Sequence, residues 1–243
     1  MLWELCSGTG SVGRPWREAG HDVLSVDIDP KTRADVIADL LTWDYKQGPG
    51  PDVVFCSPPC THYSRARSKA KTPRDLEGSD KLVARCLEII AYWKPKAWFM
   101  ENPQTGLLKS RPVVQGLPFV DLDYCQYRIL GQCVSYRKRT RIWTNVVWVP
   151  RPLCTCRPHL QSAQKGPSRL GAGKTVNDNY STEQLYALPE ALCLEIMHVA
   201  SAHVSRETDE EEGESLGRRG DVHREQSIFC KTDPPLRSPL SVP

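Results

Sequence analysis

Three things are scarce or missing in this sequence of 243 residues. No run of eighteen apolar residues occurs, which argues against a membrane-spanning helix and for a chain without a membrane partner. Net charge is almost absent, since 32 Lys+Arg against 29 Asp+Glu leave only +3, and the total therefore says little about partners. A signal peptide is not recognisable, and the ten cysteines fall at irregular spacings in a chain that is not small. Together these argue against a disulfide framework and lead us to expect free thiols in a reducing intracellular compartment, nuclear or cytoplasmic. No internal repeat is visible.

What is present has the length of one catalytic domain plus an appendage, with globular proportions of apolar (40%) and charged (25%) residues. Charge is uneven along the chain. From Thr61 to Arg74 the basic residues Arg65, Arg67, Lys69, Lys71 and Arg74 meet no acid, whereas Glu207 to Glu214 holds six acids in eight positions. Met1–Leu5 reads as a buried strand at the very start, which suggests an unusual start or a fragment of something longer. A Gly-rich turn, a helix to about Ala19 and a second strand to Asp27 follow. Val36–Ile37, Asp52–Cys56 and Lys96–Met100 read as further strands, and Leu82, Val83, Cys86, Ile89, Ile90 and Trp93 have helical spacing between the last two. Alternating strands and helices predict an α/β fold, a Rossmann-like parallel sheet with helices on both faces. Asp121–Tyr127 and Arg141–Val149 are read as an antiparallel edge hairpin. We expect residues 1–149 to form the catalytic domain, 150–182 a loop-rich insert, 183–204 a closing helix on the catalytic domain, and 205–243 a disordered tail.

Gly8, Gly10 and Gly13 satisfy GxGxxG between a strand and a helix, and Asp27 ends the next strand about twenty residues on. Backbone N–H groups and a helix N-terminus would surround an anionic group there, and the carboxylate would take ribose hydroxyls. The pattern fits a dinucleotide, and it fits S-adenosylmethionine equally well, with the amino-acid carboxylate in place of pyrophosphate. Asp29 and Asp39 are further acids at strand ends, and Asp39 is placed to accept from an adenine amino group.

The fourth strand runs into CSPPCTHYSRAR. Two prolines stiffen the backbone outside the carboxyl edge of the sheet, where open α/β folds bind ligands, and Cys60 projects from that elbow. The fifth strand ends in MENP, which sets Glu101 and Asn102 at the same edge. A thiol and a carboxylate thus share one site.

Taken in order, GTG, PPC, ENP and RKRTRIW resemble the motif set of the cytosine-C5 DNA methyltransferases, most closely their compact phage and viral members, over about residues 2–200. The resemblance implies a class I methyltransferase fold that moves a methyl group from S-adenosylmethionine to cytosine C5 of double-stranded DNA. It implies Cys60 as the nucleophile on C6, Glu101 at cytosine N3, and Arg139 and Arg141 as active-site arginines. It implies cofactor contacts from Leu5, Ser7, Gly8, Gly10, Asp27, Ile28, Asp39, Leu40 and Pro59. The chemistry demands the same residue types: C5 becomes nucleophilic only after a thiolate adds to C6, and a free cysteine is only a few per cent thiolate at neutral pH. Lowering its pKa by about two units takes roughly 2.7 kcal/mol, which we expect Arg139 or Arg141 to supply. The target base must leave the stack, so a flipped cytosine is expected. Ser64, Arg65, Arg67, Lys69 and Lys71 would then form a mobile loop over DNA phosphates.

The sequence departs from the family at Thr61, where Gln is usual, at Pro103, where Val is usual, and at Ile28, where an aromatic ring often stacks on adenine. LPEALCLEI resembles the closing helix without its usual Gly-Asn. The insert is far shorter than a typical target-recognition domain, so specificity should be short or supplied by a partner to an otherwise monomeric enzyme. Cys154, Cys156 and His159, with Cys133 nearby, contain types that suit zinc, but CxC is an uncommon zinc spacing and free thiols are expected, with no metal. Three other activities fit part of the pattern: RNA cytosine methylation, a catalytically silent DNA-binding relative, and an NAD oxidoreductase. The last leaves PPC and ENP unexplained, and an amino-methyltransferase would want an Asp/Asn-Pro-Pro-aromatic loop in place of Ser57-Pro58-Pro59-Cys60.

Overall fold

Strand β1 (Leu2–Leu5, LWEL) and strand β4 (Val53–Cys56, VVFC) are buried at every position, as central strands covered on both faces must be. In the computed structural model, which describes residues 1–65, 67, 70–127, 136–155, 161–162 and 182–226, they lie side by side and parallel, Leu2 opposite Val53 and Leu5 opposite Cys56. The remaining strands are β2 (Val23–Asp27), β3 (Val36–Ile37), β5 (Ala97–Pro103), β6 (Phe119–Asp123), β7 (Tyr136–Arg137), β8 (Arg139–Thr144) and β9 (Gln161–Ser162). Seven of them form one sheet in the order β3-β2-β1-β4-β5-β8-β6, parallel from β3 to β5, with β8 antiparallel to both its neighbours. This is the expected α/β sheet with its antiparallel edge.

Because side chains alternate across a strand, the apolar strands feed two cores. Leu2, Val53, Phe55, Phe99 and Ile142 point to one face, where helix α1 (Gly13–Glu18) contributes Trp16 and helix α4 (Glu190–Gln226) contributes Leu192, Ile196 and Ala200. Trp3, Val54, Cys56, Met100 and Trp143 point to the other, against Val83, Cys86 and Ile89 of helix α2 (Leu76–Trp93). Asp75 caps α2 by accepting from the Gly78 amide at 2.7 Å, which starts the helix at Leu76, six residues before Leu82, the first of the apolar residues at helical spacing.

Four expectations differ from the structure. β5 continues through Glu101 and Asn102 to Pro103, because β8 pairs with it beyond the point where β4 stops. The edge hairpin is shorter than the aromatic and β-branched pattern suggests: β6 ends at Asp123, the next three residues form a 3-10 turn, and β8 ends at Thr144. The closing helix is broken into α3 (Thr182–Tyr186) and α4, because Pro189 has no N–H to continue the first segment and instead starts the second, its carbonyl accepting from Leu192 and Cys193. Finally, α4 runs past Ser205 to Gln226, through part of the stretch read as a disordered tail. Six glutamates and four arginines between Ser205 and Gln226 favour a helix and no proline occurs before Pro234, while Gly213, Gly217 and Gly220 oppose it. Contacts divide the chain at the same place, into Met1–Val204 and Ser205–Pro243.

The stretch Glu183–Thr208 is long and apolar enough to cross a membrane, although no run of eighteen apolar residues occurs in it. Leu185, Leu188, Leu192, Ile196, Met197 and Ala200 are buried within the first core, which accounts for its apolar character. Within the insert, the described residues include β9, which pairs in parallel with β7, Tyr136 opposite Gln161.

Candidate active site

The carboxyl ends of β1, β2, β4 and β5 surround a cavity of about 240 Å³. At one end lies the glycine turn. Gly8 and Gly10 take φ of +52° and +64°, left-handed values that a side chain disfavours, and the Gly8 amide donates to Asp27 Oδ2 at 2.8 Å. Asp27 Oδ1 accepts from the Asp29 amide at 2.9 Å, so the carboxylate is fixed on the cavity wall with lone pairs to spare for hydroxyl donors.

Gly13, the third glycine of the fingerprint, serves a different purpose. A Cβ there would lie 2.5 Å from Glu4 Oε2. Glu4 accepts from the Val12 and Gly13 amides at 3.2 and 3.0 Å and so caps the N-terminus of α1 from inside the sheet. Burial pushes its carboxyl up to about 7, against the pull of those amides and of Arg17. Sequence reasoning passed over Glu4; its signal was a lone acid inside the apolar strand LWEL.

At the other end stands the thiol elbow. Asn102 Nδ2 donates to the Pro58 carbonyl at 2.8 Å and the Ser57 amide to the Leu5 carbonyl at 3.1 Å, which pins the entry to the two prolines. The exit is held by Tyr63, fully buried, whose hydroxyl donates to Asp80 Oδ1 at 2.8 Å while Arg111 donates to Asp80 Oδ2. Between these anchors the Tyr63 and Ser64 amides turn back onto the Cys60 carbonyl, and Cys60 lines the cavity.

Glu101 faces Cys60's cavity from β5 and is buried. Its Oε1 accepts from Tyr124 Oη at 3.2 Å and, over a shorter contact, from Thr140 Oγ1, with Lys138 Nζ 4.0 Å away. Oε2 has no hydrogen-bond partner among the described residues and is available to a ligand. Asn102, next in the strand, points to the opposite face, as alternation requires.

The same alternation decides β8. Thr140 sits opposite Pro103 and faces the cavity side, and Lys138 lines the cavity. Arg139 and Arg141 point the other way. Arg139 makes a bidentate pair with Asp123 at 3.1 and 2.8 Å, and Arg141 one with Asp121 at 2.7 and 2.9 Å while stacking on Phe119. The two arginines expected to lower the thiol pKa therefore lie outside the cavity lining, and Lys138 is the cation there among the described residues. Nor is the thiol lowered: burial, followed by the charge of Glu101, raises Cys60, and Lys138 opposes them.

Of the expected cofactor residues, Ser7, Gly8, Asp27 and Pro59 line the cavity. Leu5 and Leu40 are core residues, Ile28 is exposed, Gly10 shapes the turn, and Asp39 uses its carboxylate to accept from the Leu41 amide. Thr9, Ser11, Tyr186 and Leu188 line the cavity without having been expected, and the Leu188 amide donates to Ser11 Oγ at 3.1 Å. The closing segment therefore reaches the glycine turn even without its Gly-Asn. In the basic loop, Arg67 donates to Thr72 and Pro73, and Arg74 to the carbonyls of His62 and Ser64. Arg65 and Lys71 are exposed, and Lys69 lies outside the described residues. So do Cys133, Cys156 and His159; Cys154 is buried, and no cluster able to hold a metal occurs among the described residues.

Residues 1–112 match the model of the C-5 cytosine-specific DNA methylases. A "Probable DNA (cytosine-5)-methyltransferase" of Frog virus 3 is 31% identical to the chain, over 81% of this sequence and 98% of the viral one. Among solved structures, the S. pombe Dnmt2 methyltransferase covers 59% of this chain at 17% identity with a TM-score of 0.37, and this chain covers 48% of it. Magnesium protoporphyrin IX methyltransferase from Synechocystis PCC 6803 with bound SAM covers 59% at 14% identity with a TM-score of 0.36, and this chain covers 69% of it.

Proposed function

The chain belongs to the family of C-5 cytosine-specific DNA methylases, and we propose that its cavity transfers a methyl group from S-adenosylmethionine to C5 of a flipped cytosine in DNA, with Cys60 as the covalent nucleophile. The observation that carries this reading is a single cavity lined at one end by the glycine turn with Asp27 and at the other by Cys60 with Glu101. Neither pair alone selects this chemistry; the two together need a nucleoside-bearing donor beside a base that a thiol can attack.

The residues at the glycine end fit the donor. Ser7, Gly8 and Thr9 would hold its amino-acid part against the turn, and Asp27 would accept from the ribose hydroxyls. The bound donor supplies an electrophilic methyl on a sulfonium. Everything else falls to the chain's own groups. Loss of the Sγ proton lets Cys60 form the Sγ–C6 bond; the C5=C6 pair moves to C4–C5 and the N3=C4 pair to N3, which takes a proton in the reach of Glu101. C5 then carries the electron density that accepts the methyl; water takes the C5 proton as the Sγ–C6 bond breaks and returns the pair to sulfur, and N3 gives its proton back to Glu101, which frees the product.

Rigid mounting of the thiol matters here, because a loose elbow would forfeit the orientation that makes the attack effectively unimolecular. Asn102, Tyr63 and Asp80 supply it. Unmethylated DNA containing 5-fluorocytosine, incubated with the protein and S-adenosylmethionine, should give an adduct that survives denaturation, since fluorine at C5 blocks the final elimination. Matched RNA should not. Trapping by Cys60→Ser would reject the nucleophile, and preferential trapping of RNA would reject the substrate.

A further inference from the structure

We propose that Lys138, held in place by Tyr124, is a positioning residue for the reaction: it supports the negative charge that passes between Cys60 and Glu101 when the thiol becomes a nucleophile. The proposal rests on Cys60 being that nucleophile. Neither the motif order nor the comparisons assign Lys138 a role.

The cavity is rich in groups that carry or can acquire negative charge. Among the described residues its walls carry three carboxyl groups, Glu4 from β1, Asp27 from β2 and Glu101 from β5, and two thiols, Cys6 and Cys60. Among the described residues that line it, Lys138 is the single cationic side chain. In the free protein, loss of the Cys60 proton to solvent adds a further negative charge beside Glu101; in the reaction, where Glu101 takes that proton, the charge moves from the carboxylate onto the sulfur. In a partly desolvated cavity two such charges repel far more strongly than in water, so the second forms only if a cation offsets it or the first is neutralised. Arg139 and Arg141 cannot serve while Asp123 and Asp121 hold them on the other side of β8.

Lys138 is built into that place. Its Nζ lies 4.0 Å from Glu101 Oε1 and donates to Tyr124 Oη at 3.4 Å, above a Tyr124 ring whose centroid is 4.7 Å away. The Lys138 carbonyl accepts from the Tyr124 amide at 3.1 Å, so backbone and side chain fix the pair together. Tyr124 in turn donates to Glu101 Oε1. The cation, the phenol and the carboxylate form a connected group whose remaining oxygen, Oε2, is open toward a ligand.

The step balances without a further reactant. The Sγ–H bond breaks, the proton is taken up by Glu101 and ends on cytosine N3, and the Sγ pair forms the bond to C6. Lys138 keeps all its protons and acts only through its charge.

Two readouts test this in the 243-residue chain. In the free protein, alkylation of Cys60 by iodoacetamide, followed by peptide mass spectrometry across pH, reports the thiolate directly. In Lys138→Met the rise in labelling should move to higher pH by about one unit, and in Lys138→Arg it should stay near the wild-type position. On 5-fluorocytosine DNA, the single-turnover trapping rate near neutral pH should fall at least about tenfold in Lys138→Met, recover in Lys138→Arg, and fall less in Tyr124→Phe. S-adenosylhomocysteine affinity and circular dichroism should be unchanged in all three, which a merely structural role would not predict. An unmoved labelling profile in a folded Lys138→Met overturns the proposal. Failure of the wild-type protein to trap DNA instead removes the nucleophile reading, and this proposal with it.

Discussion

Replacing Arg139 by methionine should unfold this protein more readily rather than remove a catalytic group, and the size of the effect follows from the pair it breaks. The Asp123 side chain is 0% exposed and receives Arg139 Nε and Nη2 together with the Cys154 amide. Without the guanidinium, a buried carboxylate keeps one donor among the described residues, the Cys154 amide. Breaking a buried pair in this way costs about 3–5 kcal/mol, and the Arg139 side chain, 30% exposed, lets some water in to moderate it, so we expect roughly 3 kcal/mol. For a domain of this size each kcal/mol lowers Tm by about 2–4 °C, which predicts a fall of about 6–12 °C. Arg141→Met should cost less, because Asp121 is 21% exposed and can be hydrated when its partner is lost. Calorimetry on Arg139→Met, Asp123→Leu and the double variant closes a thermodynamic cycle, and the two changes should be strongly coupled. An unchanged Tm in Arg139→Met together with a loss of single-turnover methylation of about 100-fold or more would refute the reasoning and return the arginine to the chemistry.

Glu4 makes stability depend on pH in an unusual direction. Its carboxyl titrates near 7 when folded against 4.5 ordinarily, so its contribution is fully present below pH 4.5 and is lost as pH rises through 7, by about 3 kcal/mol in all. The stability of wild type relative to Glu4→Gln should decline over that window in denaturant titrations, and parallel curves would contradict it. Truncation at Ser205 should leave Tm and methyl transfer intact, since the compact unit ends at Val204, while truncation at Thr182 should destroy both by exposing the sheet face that α4 covers. A Tm loss in the Ser205 truncation would move the boundary. Calorimetry should show S-adenosylhomocysteine binding without NAD binding, weakened by about 1.5–3 kcal/mol in Asp27→Ala, the scale of one hydrogen bond to a charged group; tight NAD binding would favour an oxidoreductase.

Read alone, the sequence shows the order of elements and brings a glycine turn, a thiol and a carboxylate to the sheet's carboxyl edge. Buried strands such as LWEL and VVFC declare themselves by composition, and a glycine turn, a Pro-Pro-Cys elbow and a Glu-Asn-Pro strand end have local causes that no distant contact has to supply. Cys60, Glu101, Asp27 and Gly8 were legible for that reason. Which face each residue of RKRTR presents depends on how the strand pairs in the folded sheet. A strand repeats every two residues, so the string is compatible with arginines inward or with Lys138 and Thr140 inward, and a shift of one residue exchanges them. The register of β8 against β5 and β6, with Asp121 and Asp123 waiting opposite the arginines, settles the choice. Glu4 was hidden for a related reason: a carboxylate in a central strand looks like a flaw until the N-terminus of α1 is folded over it, and that placement depends on residues eight and nine positions away whose amides carry no sequence signature.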